Sequence, residues 1–337
     1  MPLDRRSFLT LLGGAGLAWP GAVEALARQT ALGGEPDDED FWGFVRGQFL
    51  IPSDRIYLNN GTLGPSPHVV VDAVTEHTRR VAMTYPPGVS WDDLKGSLAG
   101  LLGGDPAGFV SPRNTTEAMN FVANGLDLER GAEVLSTDHE HIGGLEPWKL
   151  VTTRRGQTLR IASLPVPAAL SGALLDAVWS DVTEATAVIC VSHMTFTTGT
   201  VLPITELAER CVDRDIVLAV DGAHPPGMLQ MDLRTLGGDF YATSPHKWLL
   251  APQGTGLLVH QRAVAGAAVA DARIRGLERY GLGSTSIQPS WHRGRVAAGG
   301  AARGVGVHVG AGHGADRTQG ALPGGAAARR SGIDSRP

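Results

Sequence analysis

The chain has 337 residues, 42% of them apolar and 19% charged, a balance that excludes fibrous, collagen-like and wholly disordered proteins. At roughly 150 residues per domain it has room for about two globular domains. A formal net charge of -5 supplies no basic stripe for nucleic acid or an acidic membrane surface, so small-molecule chemistry is the expectation.

Arg5 and Arg6 precede an apolar run that ends at Trp19, and Ala25-Leu26-Ala27 has the small-x-small form of a signal-peptidase site. Residues 1–27 are therefore expected to be a twin-arginine export signal, which makes the protein periplasmic or extracellular. The run is too short for a stable membrane span. Residues 28–55 read as an N-terminal arm. From 56 to 275, short apolar runs bounded by turn residues predict strands over 56–58, 133–136, 159–161, 187–192, 216–221, 240–243 and 256–259, and Phe109-Val110 can end a strand. Amphipathic stretches predict helices over 69–81, 91–102, 116–124, 173–182 and 204–214. Pro86, Pro87 and Gly88 suggest a loop near the site, and equally a simple helix-helix turn. Residues 276–337 become rich in Gly, Ala and Arg and lose every period, so they read as a low-complexity, disordered tail or a foreign reading frame. Strands alternating with helices imply an α/β fold with a mostly parallel sheet covered on both faces.

Ligands of such sheets gather at the carboxyl ends of the strands. There the sequence places Ser192-His193, Asp221-Gly222-Ala223-His224 and Ser244-Pro245-His246-Lys247-Trp248. Only three lysines occur, Lys95, Lys149 and Lys247. The first two sit in helical or post-helical contexts and read as surface, whereas Lys247 follows an apolar strand, where desolvation suits an amine to Schiff-base chemistry. Asp221, ending a buried strand, needs a cationic partner. Asn114 is a candidate N-cap with Glu117 three residues on, and the helix start at Thr115 and Thr116 suits a phosphate. The two cysteines, Cys190 and Cys211, read as core residues. A lysine, a strand-end carboxylate and an anion-binding helix start are together what a pyridoxal phosphate site requires.

At these residues the sequence resembles the class V aminotransferases, fold-type I pyridoxal phosphate enzymes that include cysteine desulfurases and isopenicillin N epimerase. The resemblance runs from Tyr57-Leu58-Asn59-Asn60-Gly61-Thr62-Leu63-Gly64-Pro65 through Arg113-Asn114-Thr115-Thr116-Glu117-Ala118-Met119-Asn120 and Thr137-Asp138-His139-Glu140-His141 to the Asp221 and Lys247 segments, about two-thirds of the chain. It implies a large α/β domain over 56–275, with the small C-terminal domain missing or replaced by the tail. It implies Lys247 as the Schiff-base lysine, Asp221 on the pyridine nitrogen, His224 near the ring hydroxyl and His141 stacked on the ring. Thr115, Thr116, Ser244 and His246 would surround the phosphate. Asn59, Asn60 and Thr62 would line the substrate side, in a pattern closer to the epimerase branch than to the desulfurases. A homodimer, an amino-acid substrate and chemistry at its Cα follow from the same resemblance, with epimerisation, transamination or expulsion of a β-substituent as its outcome. Two rival readings remain at this point: a zinc hydrolase in which His139 and His141, facing one way from a strand, join His193, Asp221, His224 and His246, and an inactive truncated product.

Overall fold

The computed structural model describes residues 37–84, 91–166 and 170–261. The expected export signal, the 276–337 tail and the Pro86-Pro87-Gly88 loop lie outside the described residues. The chain divides into two units, Met1–Arg293 and Gly294–Pro337, and every described residue belongs to the first.

Among the described residues one sheet has the order β1-β7-β6-β5-β4-β2-β3. Its strands are β1 (Phe109–Val110), β2 (Glu133–Thr137), β3 (Thr158–Ala162), β4 (Thr186–Ser192), β5 (Val217–Asp221), β6 (Phe240–Thr243) and β7 (Leu257–His260). Strands β3, β2, β4, β5 and β6 run parallel, and β7 and β1 add antiparallel at one edge. The helices are α1 (Glu39–Arg46), α2 (His68–Thr84), α3 (Trp91–Leu102), α4 (Thr115–Gly125), α5 (Ile142–Arg155), α6 (Ser171–Trp179), α7 (Ile204–Asp213) and the single turn α8 (Leu233–Leu236).

The two-residue period of a strand divides the core between the faces of the sheet. Val134, Val188, Cys190, Val217, Ala219, Phe240 and Ala242 pack with Ala118, Met119 and Val122 of α4 and with Trp148 and Val151 of α5. Their neighbours Leu135, Ile189, Val191, Leu218, Val220 and Tyr241 pack on the opposite face with Leu174 and Val178 of α6 and Ile204, Leu207 and Cys211 of α7. Each such leucine or isoleucine removed from water stabilises the fold by about 1.5–3 kcal/mol before entropy is counted. β5 is buried along its whole length, as a central strand covered on both sides must be.

The predicted strand over 56–58 does not form: Ile56 is 80% and Leu58 87% exposed, and the sheet ends at β1 and β3 without them. Three apolar residues without a partner strand cannot satisfy their backbone in a ladder. α1 and α5 were not expected. α5 carries Pro147 and the pair Gly143-Gly144, which erase the amphipathic signal, yet Trp148 and Val151 anchor it to the sheet.

Candidate active site

Strand parity also builds the site. Ser192 and Asp221 are paired across β4 and β5 and continue the rows of Cys190 and Ala219, which face α4 and α5. Asp221 is 4% exposed. Its Oδ1 accepts from Ala223 N at 3.0 Å, and no hydrogen bond reaches Oδ2 from the described residues. Oδ2 points to the start of α5, where a Cβ on Gly144 would lie 2.7 Å away, so only glycine admits the helix this close. Burial pushes the Asp221 carboxyl up, and Ala223 N–H, Lys247 and His141 draw it back down.

Lys247 sits in the turn after β6, half-buried, and burial lowers its pKa while Asp221 opposes that shift. Its Nζ lies 3.5 Å from His224 Nε2. Trp248 Nε1 donates to His224 Nδ1 at 3.1 Å. Burial, Lys247 and His141 together push the His224 pKa down to about 4, so this ring is neutral at pH 7.

His141 is the N-cap of α5: its Nδ1 accepts from Gly143 N at 3.0 Å, and its ring meets Phe196 edge-on with centroids 5.1 Å apart. At the other end Asn114 caps α4 by accepting from Glu117 N at 2.8 Å. Glu117 reaches back to Arg113 N at 2.6 Å, one residue beyond the usual capping box. The helix start is thereby fixed against β6: Thr115 N donates to Ser244 Oγ at 3.0 Å, and the Thr115 and Ser244 hydroxyls are 2.7 Å apart. His246 Nδ1 donates to Thr255 O at 2.7 Å, which orients its other nitrogen away from that carbonyl.

The predicted residues thus fall into one neighbourhood. Lys247, Asp221, His224 and His141 interact electrostatically, and Thr115, Ser244, His246 and the exposed Thr116 stand at the adjoining helix start and β6 turn. Asn59, Asn60 and Thr62 belong to a tight turn, with Thr62 N donating to Asn59 O at 3.2 Å. That turn lies against the site because Gly64 N donates to His246 O at 2.8 Å. Lys149 is exposed as expected, but Lys95 is not a surface residue: its side chain is only 12% exposed and its Nζ stands 5.7 Å from the Trp91 ring centre. Cys190 and Cys211 are buried free thiols, and burial raises both, Cys211 to about 12.

The zinc reading loses its premise. His139 lies in a turn, not a strand, with Nδ1 on Asp138 at 2.7 Å, and His141 starts a helix. His193 turns to Tyr241 OH at 3.1 Å, and among the described residues no group of three or more His, Cys, Asp or Glu is placed to hold a metal ion. A feature the sequence reading passed over is Glu140. It is buried, takes hydrogen bonds from Thr137 Oγ1 at 2.6 Å and Ser192 Oγ at 2.5 Å, and is pushed up to about 7 by burial, with Asp221 adding to the rise. Its place directly before His141 was the available signal, since that histidine's position fixes the residue behind it.

Residues 93–272 match the model of the class-V aminotransferase family, and the chain belongs to that family. It is 38% identical over 228 residues to isopenicillin N epimerase from Streptomyces clavuligerus, covering 64% of this chain and 56% of that protein. Among solved structures it resembles the cysteine desulfurase CsdA from Escherichia coli, with TM-score 0.58 and 25% identity over 65% of this chain and 57% of that one. A C-DES mutant with glycine covalently linked to its PLP cofactor gives TM-score 0.58 and 28% identity over 64% of this chain and 59% of that one. The mostly parallel α/β sheet expected from the sequence is the fold shared with these PLP enzymes. The chain spans a little over half the length of these relatives.

Proposed function

We propose that this chain holds pyridoxal 5'-phosphate and exchanges the Cα proton of an amino acid, as an epimerase or an aminotransferase. The observation that carries the reading is Asp221, a buried carboxyl whose Oδ2 faces the site without a hydrogen-bond partner among the described residues. Such a group is costly unless a cation meets it. A protonated ring nitrogen is a fitting one, and the capped helix start at Thr115 with Ser244 and His246 is fit to hold a phosphate.

The bound cofactor supplies an electron sink for negative charge that develops at Cα. The protein's part follows from its own groups. Asp221 holds a proton on the pyridine nitrogen, Thr115, Thr116, Ser244 and His246 bind the phosphate, and His141 covers the ring. Lys247 is the attachment point, and its amine, with burial lowering its proton affinity, takes and returns the Cα proton. Asn59, Asn60 and Thr62 contact the substrate. Thiol-based desulfuration fits poorly, because both cysteines of this chain are buried with raised pKa. The relation to isopenicillin N epimerase supports epimerisation as the leading outcome. A homodimer, and export directed by Arg5-Arg6 and the apolar run after it, complete the proposal.

The test is spectroscopic. Protein incubated with pyridoxal 5'-phosphate is expected to gain a violet-region absorbance band that borohydride bleaches, leaving the cofactor mass on Lys247. Lys247→Ala is expected to lose both signals. A wild-type chain that gains neither rules the assignment out.

A further inference from the structure

Trp248 Nε1 stands 3.1 Å from His224 Nδ1, with the two rings tilted by 50° at 6.4 Å. An indole N–H is a donor and nothing else, so the imidazole nitrogen it meets must be an acceptor. In a neutral ring with Nδ1 accepting, the single proton sits on Nε2, and Nε2 is the atom 3.5 Å from Lys247 Nζ. The hydrogen bond made by the tryptophan therefore decides what the lysine faces. If Nζ were an ammonium, two donors would confront each other. If Nζ is a neutral amine, its lone pair meets the Nε2–H. The opposite tautomer, with a bare Nε2, would accept from an ammonium and favour the charged lysine.

We propose that Trp248 is a positioning residue that locks His224 in its Nε2–H tautomer and thereby holds the Lys247 amine in its uncharged, nucleophilic form. The inference rests on the functional reading above only in giving that amine a carbonyl compound to meet. The other charges around Nζ are accounted for. Asp221 of β5 favours the ammonium, while His141, at the start of α5, reinforces the neutral state of His224. The 59–64 turn lies against the ring from outside: a Cβ on Gly61 would meet His224 Cε1 at 3.1 Å, a tight contact that would press on the imidazole. Among the described residues the His224 ring meets only Trp248 and Lys247 in hydrogen bonds, and of the two only the indole N–H has a fixed role as donor, so the shorter Trp248 contact sets the tautomer.

The experiment uses the full chain before any cofactor is added, which separates it from the cofactor test. Nitrogen-15 NMR of the histidine rings at pH 7.5 is expected to show His224 with an unprotonated Nδ1 and a protonated Nε2; the reverse assignment overturns the proposal. Acetylation of Lys247 by acetic anhydride, followed by mass spectrometry across pH, is expected to show a midpoint that rises by at least half a unit in Trp248→Phe, about a three-fold slower reaction at pH 8. Lys149, whose side chain is exposed, serves as the internal standard. An unchanged Lys247 midpoint in a folded Trp248→Phe protein overturns the proposal. If that variant does not fold, the wild-type NMR assignment alone decides. Failure of the violet band with the tautomer and reactivity as expected would count against the cofactor reading and leave this one standing.

Discussion

The floor of the site and the stretch that closes over it are built on opposite terms. Ser192 and Asp221 stand at the ends of the adjacent parallel strands β4 and β5 with their backbone held in the ladder, Ser244 follows the neighbouring β6 directly, and all three are buried. The stretch over residues 50–66 has no helix or strand, exposes Leu50, Ile56 and Leu58, and covers a cavity of about 450 Å³ lined by Leu50, Tyr57, Leu63, Val70, Val74 and Pro252. A handful of hydrogen bonds hold it, among them Gly64 N to His246 O at 2.8 Å and Ser66 Oγ to Ala251 O at 3.2 Å. The contrast teaches a division of labour. On the proposed function, the group that would hold the cofactor's charge is seated on the sheet, and Asn59, Asn60 and Thr62, which would meet the substrate, are seated on a stretch held by few hydrogen bonds.

The sharpest way to test the floor is Asp221→Ala. Removing one member of a buried charge pair costs about 3 kcal/mol or more, so pyridoxal phosphate affinity is expected to fall at least a hundred-fold in an equilibrium titration. Without cofactor the effect is expected to be small. The wild-type carboxyl is buried with one hydrogen bond, to Ala223 N, so the variant is expected to unfold within about 1 kcal/mol of wild type in urea. Equal losses with and without cofactor would show that Asp221 is a structural residue.

Glu140→Gln probes the same floor through pH. Burial holds the Glu140 carboxyl at about 7 against 4.5 in an open chain. Between those values the folded protein keeps a proton that the unfolded chain has lost, so the stabilisation is complete below pH 4.5 and disappears as pH rises through 7. The glutamine variant lacks this dependence. Relative to wild type it is expected to gain up to about 3 kcal/mol between pH 4.5 and 8, at about 1.4 kcal/mol per pKa unit. His193 and His224, both pushed down to about 4, act with the opposite sign between 4 and 6.5, but they are common to both proteins and cancel in the difference. A wild-type-minus-variant curve that is flat across this range would mean that Glu140 is ionised throughout.

The two regions differ in the same way in how far the sequence discloses them. Runs such as Ala219-Val220-Asp221 and Ala242-Thr243-Ser244 state a buried strand and its polar end within a few residues, because a parallel strand covered on both faces needs unbroken apolar composition. His141 and Lys247 were legible through the motifs around them. Glu140 was marked only by its place before His141, and its role depends on Ser192, which is 52 positions away and reaches it only through the sheet. Nor did the sequence disclose the 50–66 stretch, where Ile56-Tyr57-Leu58 has the composition of a strand and no strand to pair with. Local composition reports propensity, and the availability of a partner is a property of the whole chain.

That stretch offers the smallest expected effect and the most selective one. The Tyr57 hydroxyl donates to Leu63 O at 2.5 Å, with Asn59 O at 3.1 Å, and so ties the two ends of the Asn59-Asn60-Gly61-Thr62 turn together. Tyr57→Phe keeps the ring against the cavity and removes only that tie, a loss of about 1 kcal/mol. Amides of residues 59–64 are then expected to exchange with deuterium about five-fold faster. Those of β4 and β5, and the affinity for pyridoxal phosphate, are expected to stay as in wild type. If cofactor affinity fell in step with the faster exchange, the closing stretch would be helping to hold the charged groups, and the separation between a fixed floor and a movable cover would not survive.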